Sequence, residues 1–292
     1  MSTRRSNSKR GASRPRDLVG LAVLVLVLIF VILSRSGEEQ RRGQSQAPRP
    51  QTGPAFPTPA SPPIPTANPL KIALEAPADI ERRPGVGVAV LVDVSGSMNQ
   101  PVQGADGRMR LKIDVARRSV LGLLGQCATF AKANPERNVQ VGVYEFSMRD
   151  RQAACRAVIP IGPLDLAAAQ GAVGNMHPGG STPIGNAIIQ AKRDLDRTGL
   201  SRLHILTVTD GENNQGYDPA DVVNAMMTLP EESRASVYFI AFDIGADRFK
   251  SISDAGGLVL AAANETELQQ TLDYILTGKI LAEQPQVTPA KQ

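Results

Sequence analysis

Tryptophan is absent from this chain, and aromatic residues make up only 4% of its 292 positions. A surface that stacks nucleic-acid bases has little to be built from. Histidine and cysteine are equally scarce, two of each, and neither pair has the spacing of a zinc site. Cys127 and Cys155 allow at most one disulfide, and whether they form it stays open because sequence does not place their Cα atoms. Charge of either sign is also weak, with a formal net of +4. Residues 1–49 carry ten basic and three acidic side chains, an excess larger than the net of the whole chain, so the remainder is mildly acidic. Phosphate binding needs a basic face on the folded domain, which argues against a nucleic-acid partner.

What the chain does have is a sharp division of composition. Leu18 to Leu33 is an unbroken apolar run, LVGLAVLVLVLIFVIL. As a helix it is roughly 24 Å long, enough to cross a bilayer when Arg16 and Arg35 snorkel from its ends. It shows none of the polar stripe of a buried core helix. The basic cluster Arg4–Arg16 precedes it, so the positive-inside rule leaves the N-terminus in the cytoplasm and exports the rest of the chain. An uncleaved anchor is the preferred reading, because no breaker ends the run. The alternative is a signal peptide cleaved near Ser36, with secretion of the domain. Residues 43–69, rich in Pro, Gln, Ala, Ser and Thr, favour an extended spacer. The predicted organisation is a basic cytoplasmic tail over 1–17, a transmembrane helix over 18–34, a proline-rich stalk over 35–84, one domain over 85–282, and a disordered tail over 283–292.

From Gly85 onward, strand and helix patterns alternate. Val86–Val92 reads as a strand buried on both faces. The segment 111–131 repeats its apolar residues at helical spacing, and Asn134-Pro135 ends it. Val139–Phe146 and Arg156–Ile161 read as strands close enough to pair as a hairpin. Helices are expected over 164–173, 183–195 and 219–229, and strands over 203–209, 237–242 and 257–262. Asn264 begins a final helix with Glu267 three residues on, the spacing of a capping box. The fold class is therefore α/β, a doubly wound, mostly parallel sheet with one antiparallel edge strand.

Three loops carry the chemistry. Asp93-Val94-Ser95-Gly96-Ser97 follows the first strand, Thr209-Asp210-Gly211 follows the fourth, and Gly179-Gly180-Ser181-Thr182-Pro183 precedes a helix. In doubly wound sheets, ligands bind beyond the carboxyl ends of the strands. Each loop alone has an ordinary explanation as a cap or turn. Together, Asp93, Ser95, Ser97, Thr182 and Asp210 form a set of hydroxyls and carboxylates without His or Cys. Such a set suits a hard divalent cation, Mg²⁺ first, with Mn²⁺ or Ca²⁺ as alternatives, and not zinc.

These three elements, in this order on matching strands, resemble a von Willebrand factor type A domain with a complete metal-ion-dependent adhesion site. The resemblance covers residues 85–282 and implies a Rossmann-like fold. It implies that Ser95 and Ser97 bind the metal directly, that Thr182 does so in the ligand-gripping state, and that Asp93 and Asp210 act through water. It also implies a protein partner whose Asp or Glu completes the metal, and a final helix that shifts on binding.

One departure from many relatives is the stretch NQPVQGADGR over 99–108, expected as a solvated insertion, where Asp106 or Arg108 could shape access to the site. Glu212 is the third candidate for its rim. His177 receives no role.

A binding module is favoured over an enzyme. Hydrolysis needs a positioned base, and no His, Lys or Cys falls in the three loops, which leaves Glu212 as the single spare candidate. A scaffold for an envelope complex is the other alternative.

Overall fold

The computed structural model describes residues 69–77, 79–149 and 154–283. The expected membrane span, most of the proline-rich stretch and residues 284–292 lie outside them. Among the described residues no helix is long and apolar enough to cross a membrane.

The chain begins with a short helix α1 (Pro69–Leu74) and the strand β1 (Arg83–Asp93). A small hairpin comes next, β2 (Pro101–Gln103) and β3 (Met109–Leu111), and then the long helix α2 (Lys112–Ala133). After it come β4 (Val139–Phe146), β5 (Cys155–Gly162), α3 (Leu166–Gly174) and α4 (Ile184–Arg197). The last part runs β6 (Leu200–Thr209), α5 (Pro219–Met227), β7 (Ala235–Phe242), α6 (Lys250–Asp254), β8 (Leu258–Ala262) and α7 (Glu265–Ile275).

The main sheet has the order β5-β4-β1-β6-β7-β8. All neighbours are parallel except β4 and β5, which pair antiparallel at one edge. Strand order reverses beside β1, whose two neighbours are β4 and β6. That is the switch point at which a doubly wound sheet opens a crevice beyond its strand ends.

The sheet divides two cores. Val86, Val88, Val90 and Val92 of β1 point to one face, where they meet α2 and α7 through residues such as Val120, Leu124, Leu268 and Leu272. Ala89 and Leu91 point to the other, where α4 and α5 supply Ile184, Ile188, Val222 and Met226. Both faces of β1 are buried, which is why its sequence is a continuous apolar run rather than an alternating one. Each fully buried Val or Leu contributes about 1.5–3 kcal/mol. The final helix opens as its sequence predicts in part. Asn264 accepts from Glu267 N, while the Glu267 carboxylate reaches past the cap residue to Ala263 N at 2.8 Å.

Two findings depart from the sequence reading. The folded body extends upstream of Gly85, because α1 packs on it with Leu74 fully buried. Residues 99–108 are mostly exposed, as expected of a solvated insertion, but they carry regular structure that was not foreseen, β2 and the turn that joins it to β3. The hairpin base is closed by Lys112 N donating to Gln100 O at 2.9 Å, and its turn is tied to α7 by Ala105 N donating to Glu265 Oε2 at 2.9 Å. Arg118 of α2 binds the same Glu265 carboxylate through two nitrogens at 2.8 and 3.0 Å.

The cysteines are both free. Cys127 sits in the core on the α2 face of the sheet and Cys155 packs against the opposite core. A layer of β-sheet separates them, and burial pushes both thiols up to about 12.

His204 of β6 is buried, with Tyr238 Oη 3.3 Å from its Nδ1. Burial, and secondarily the Arg202 charge, lowers its pKa to about 4. Glu283 lies 3.8 Å from Nε2 and is itself 36% exposed, too distant and too solvated to reverse this. The native state thus refuses a proton that the unfolded chain accepts below about pH 6.5. As pH falls from there toward the folded value, this one group should remove about 1.4 kcal/mol of stability per pH unit. An NMR titration should show the His204 imidazole neutral at pH 6, with its midpoint near 4. A midpoint at or above 6 would show that the site is wetter than its packing implies.

Candidate metal centre

Asp93 ends β1 and is fully buried. One of its oxygens accepts from Ser95 N at 2.7 Å, which bends the chain into the next turn. The other accepts from Thr209 Oγ1 at 2.6 Å, the last residue of the neighbouring strand β6. Burial pushes the carboxyl up to about 6, against the lowering effect of these bonds. A buried carboxylate of this kind is stabilised by a nearby cation.

Beyond Asp93 the two serine hydroxyls lie side by side, with Ser95 Oγ and Ser97 Oγ 3.1 Å apart. Ser97 Oγ donates to Asp210 Oδ1 at 2.6 Å. Asp210 follows β6 directly, so adjacent parallel strands deliver the two carboxylates and the serines to one strand end. Thr182 arrives from the loop before α4. A methyl group built on Gly211 would sit 3.7 Å from Ser97 Oγ and 3.8 Å from Thr182 Oγ1. The two hydroxyls therefore converge on one space, kept open by a residue without a side chain.

The Thr182 loop is pinned on several sides. Gly179 N donates to Val94 O at 2.8 Å, and Gly96 N donates to Gly180 O at 3.0 Å, so this loop and the Ser95–Ser97 turn are joined through their backbones. Asn214 Oδ1 accepts from Thr182 N, and Asn213 Oδ1 accepts from Ile184 N, each at 2.8 Å. Arg149 donates to Gly179 O at 2.9 Å and also to His177 O.

All five candidate ligands thus meet at the switch point. The three rim candidates are held elsewhere. Asp106 binds Arg110 at 2.7 Å and Arg108 N at 3.2 Å within the hairpin, and Arg108 is left 84% exposed. Glu212 pairs with Arg248. Sequence reasoning missed Thr209, Asn213, Asn214 and Lys112. The asparagine pair directly after Asp210-Gly211-Glu212 was a signal of a side-chain-braced loop. Lys112 Nζ lies 2.9 Å from Asp210 Oδ2 and 2.9 Å from Asp243 Oδ2.

Among the described residues no three His, Cys, Asp or Glu side chains gather as a metal cluster. A cation here would depend on hydroxyls, and the donor set fits a hard ion in that way. Its oxygens are clustered and partly buried, and the neighbouring carboxylates are fixed by their own bonds.

No family model matches the chain. No curated protein matches it either. Solved structures do. The pilus adhesin SpaC from Lactobacillus rhamnosus GG aligns with 68% of this chain and 31% of its own, at 14% identity and TM-score 0.50. A von Willebrand factor type A structure from Catenulispora acidiphila aligns with 66% of this chain and 42% of its own, at 21% identity and TM-score 0.49. Proximal thread matrix protein 1 from the mussel byssus, described with a zinc-occupied adhesion-site motif, aligns with 67% of this chain and 48% of its own, at 17% identity and TM-score 0.49. The chain spans less than half the length of each. The likeness to the adhesin is one of fold.

Proposed function

We propose that the domain is a protein-binding module of the von Willebrand factor type A kind, which engages its partner through a divalent cation. The observation that carries this is the convergence of Ser95, Ser97 and Thr182 hydroxyls beside Asp93 and Asp210 at the switch point of the sheet. Ser95, Ser97 and Thr182 would hold the ion, and Asp93 and Asp210 would balance its charge. Mg²⁺ suits this all-oxygen set best. When bound, such a cation supplies an electrophilic centre that a carboxylate can complete. The partner would then present an Asp or Glu.

Binding is favoured over hydrolysis by the arrangement of Glu212. It is the spare base that the sequence of the three loops offers, and it is occupied by Arg248. The scaffold role in an envelope complex differs from adhesion only in the partner. The reading includes the N-terminal segment, with Leu18–Leu33 as a single-pass anchor and the domain extracytoplasmic.

The test is capture of partners by the full chain in Mg²⁺, in EDTA, and as the Thr182→Ala variant. We expect a captured protein in Mg²⁺ that is lost in EDTA and in Thr182→Ala, with circular dichroism unchanged. Changing the critical partner carboxylate to its amide should act as strongly, because a desolvated cation would be left unmatched. A partner held equally well by Thr182→Ala in EDTA would refute metal-mediated binding and leave the fold untouched.

A further inference from the structure

Lys112 stands where a lysine is disfavoured three times over. It is the first residue of α2, where the helix dipole opposes a cation. It is only 7% exposed, and burial penalises its charge. It also belongs to the chain that closes the hairpin base, so its backbone has little freedom to withdraw. Two carboxylates offset these costs, Asp210 and Asp243, each 2.9 Å from Nζ. They follow the adjacent parallel strands β6 and β7, and one ammonium spans both strand ends.

Asp243 is itself held unusually. Its φ is +54°, in the left-handed region that residues other than glycine rarely adopt. Asp243 N donates to Ala262 O at 2.8 Å, which continues the β7–β8 ladder up to this residue. Sheet geometry alone does not require the left-handed conformation, since β6 ends at Asp210 without it. In this conformation the Asp243 carboxylate faces Lys112.

Resting on the reading that the hydroxyl cluster holds a divalent cation, we propose that Lys112 and Asp243 are positioning residues that set the charge of that site. Asp210 is bound on both oxygens, by Ser97 on one side and by Lys112 on the other. Lys112 cancels one of the two site carboxylates without touching the hydroxyls. Counting Asp93, Asp210 and Lys112, a divalent cation loaded there faces close to one negative charge instead of two, and the centre stays positive except for what the more distant, solvated Asp243 offsets. Metal loading is thereby tied to an anionic ligand, which favours a partner that presents a negative group. Asp243, 40% exposed on its side chain, anchors the ammonium and tempers its effect.

The experiment is direct Mn²⁺ titration of the full chain, followed by the paramagnetic signal of the free ion, with no partner present. Lys112→Met should bind Mn²⁺ tighter, on the order of tenfold or more, because a unit charge opposing the ion is gone. Asp243→Asn should bind it weaker, by about threefold, because the ammonium is then less neutralised. Lys112→Arg keeps the charge and should behave as the parent. Saturating acetate should raise Mn²⁺ affinity in the parent more than in Lys112→Met. Should Lys112→Met fail to fold by circular dichroism, Lys112→Gln replaces it with the same expected result. Ser97→Ala separates the two readings. If it abolishes Mn²⁺ binding while the Lys112 variants bind no tighter than the parent, the charge-setting role is overturned and the metal centre stands. If Ser97→Ala leaves binding unchanged, or neither the parent nor Lys112→Met binds Mn²⁺, the metal centre is overturned and this role with it.

Discussion

Asp196→Ala should destabilise the domain by about 3–5 kcal/mol, a large part of the stability of an ordinary domain. Asp196 is on the last turn of α4 and only 1% exposed, and Lys192, one turn earlier, is fully buried. Lys192 Nζ donates to Asp196 Oδ2 and to Leu74 O of α1. Arg82 donates to the other Asp196 oxygen at 2.8 Å and to Leu200 O at 3.1 Å. Removing the carboxylate leaves the Lys192 ammonium buried with a single carbonyl. Burial already lowers its pKa despite the pairing, so the variant must deprotonate it or expel it. Lys192→Met should cost far less, about 0–2 kcal/mol, because Asp196 keeps Arg82 and methionine fills the volume. The double variant should be more stable than Asp196→Ala alone, since the fully buried ammonium is gone and only Arg82, 16% exposed and still bonded to Leu200 O, loses its carboxylate. Urea unfolding midpoints at constant slope measure all three. Equal losses for the two single variants would show that the pair acts only as packing.

The same cluster shows why part of the molecule is not legible from sequence. Lys192 and Asp196 are one helical turn apart, a spacing that solvated ion pairs on exposed helix faces share. They are buried because α1 covers them, and α1 is PLKIAL, six residues emerging from a proline-rich stretch. Six residues give too few turns to declare a helical period. The parallel strands were legible because burial on both faces leaves no room for polar residues. The hairpin over 101–111 was not, because its alternation is weak and Met109 and Leu111 stay 64% and 40% exposed. At the metal centre, the D-x-S-x-S turn, Thr182 and Asp210 carry their chemistry in residue type and order. Their supports do not. Thr209 holds Asp93 from an adjacent strand, and Lys112 reaches Asp210 across 98 residues of chain. Asp243 is one aspartate after a strand among several, distinguished only by its backbone conformation.

Gly180→Ala should weaken metal binding by about 100-fold while leaving the sheet in place. Gly180 has φ +87°, and a methyl group there would lie 2.5 Å from Met148 O and 2.7 Å from Arg149 Cγ. Met148 is no free neighbour. It exchanges two backbone bonds with Ser181, Met148 N to Ser181 O at 3.0 Å and Ser181 N to Met148 O at 3.1 Å. Gly180 O also accepts from Gly96 N, the residue between the two ligand serines. A side chain at 180 therefore pushes apart the joint that sets Thr182 against Ser95 and Ser97. Forcing an alanine into this conformation costs about 1–3 kcal/mol, and the collision adds to it. Displacing a supporting element of a metal site lowers affinity by about 10- to 100-fold, and Thr182 is a ligand candidate itself, so the upper end is expected. Gly107→Ala is the matched control. Gly107 sits in the hairpin turn at φ +76°, and a methyl group there would meet nothing within 4 Å. It carries the backbone strain without the collision and without a link to Thr182. Mn²⁺ affinity should be unchanged in Gly107→Ala and about 100-fold weaker in Gly180→Ala, with both folded by circular dichroism. Parent-like Mn²⁺ affinity in Gly180→Ala would mean that the Met148–Ser181 joint does not place Thr182, and that the hydroxyls reach the ion by another route.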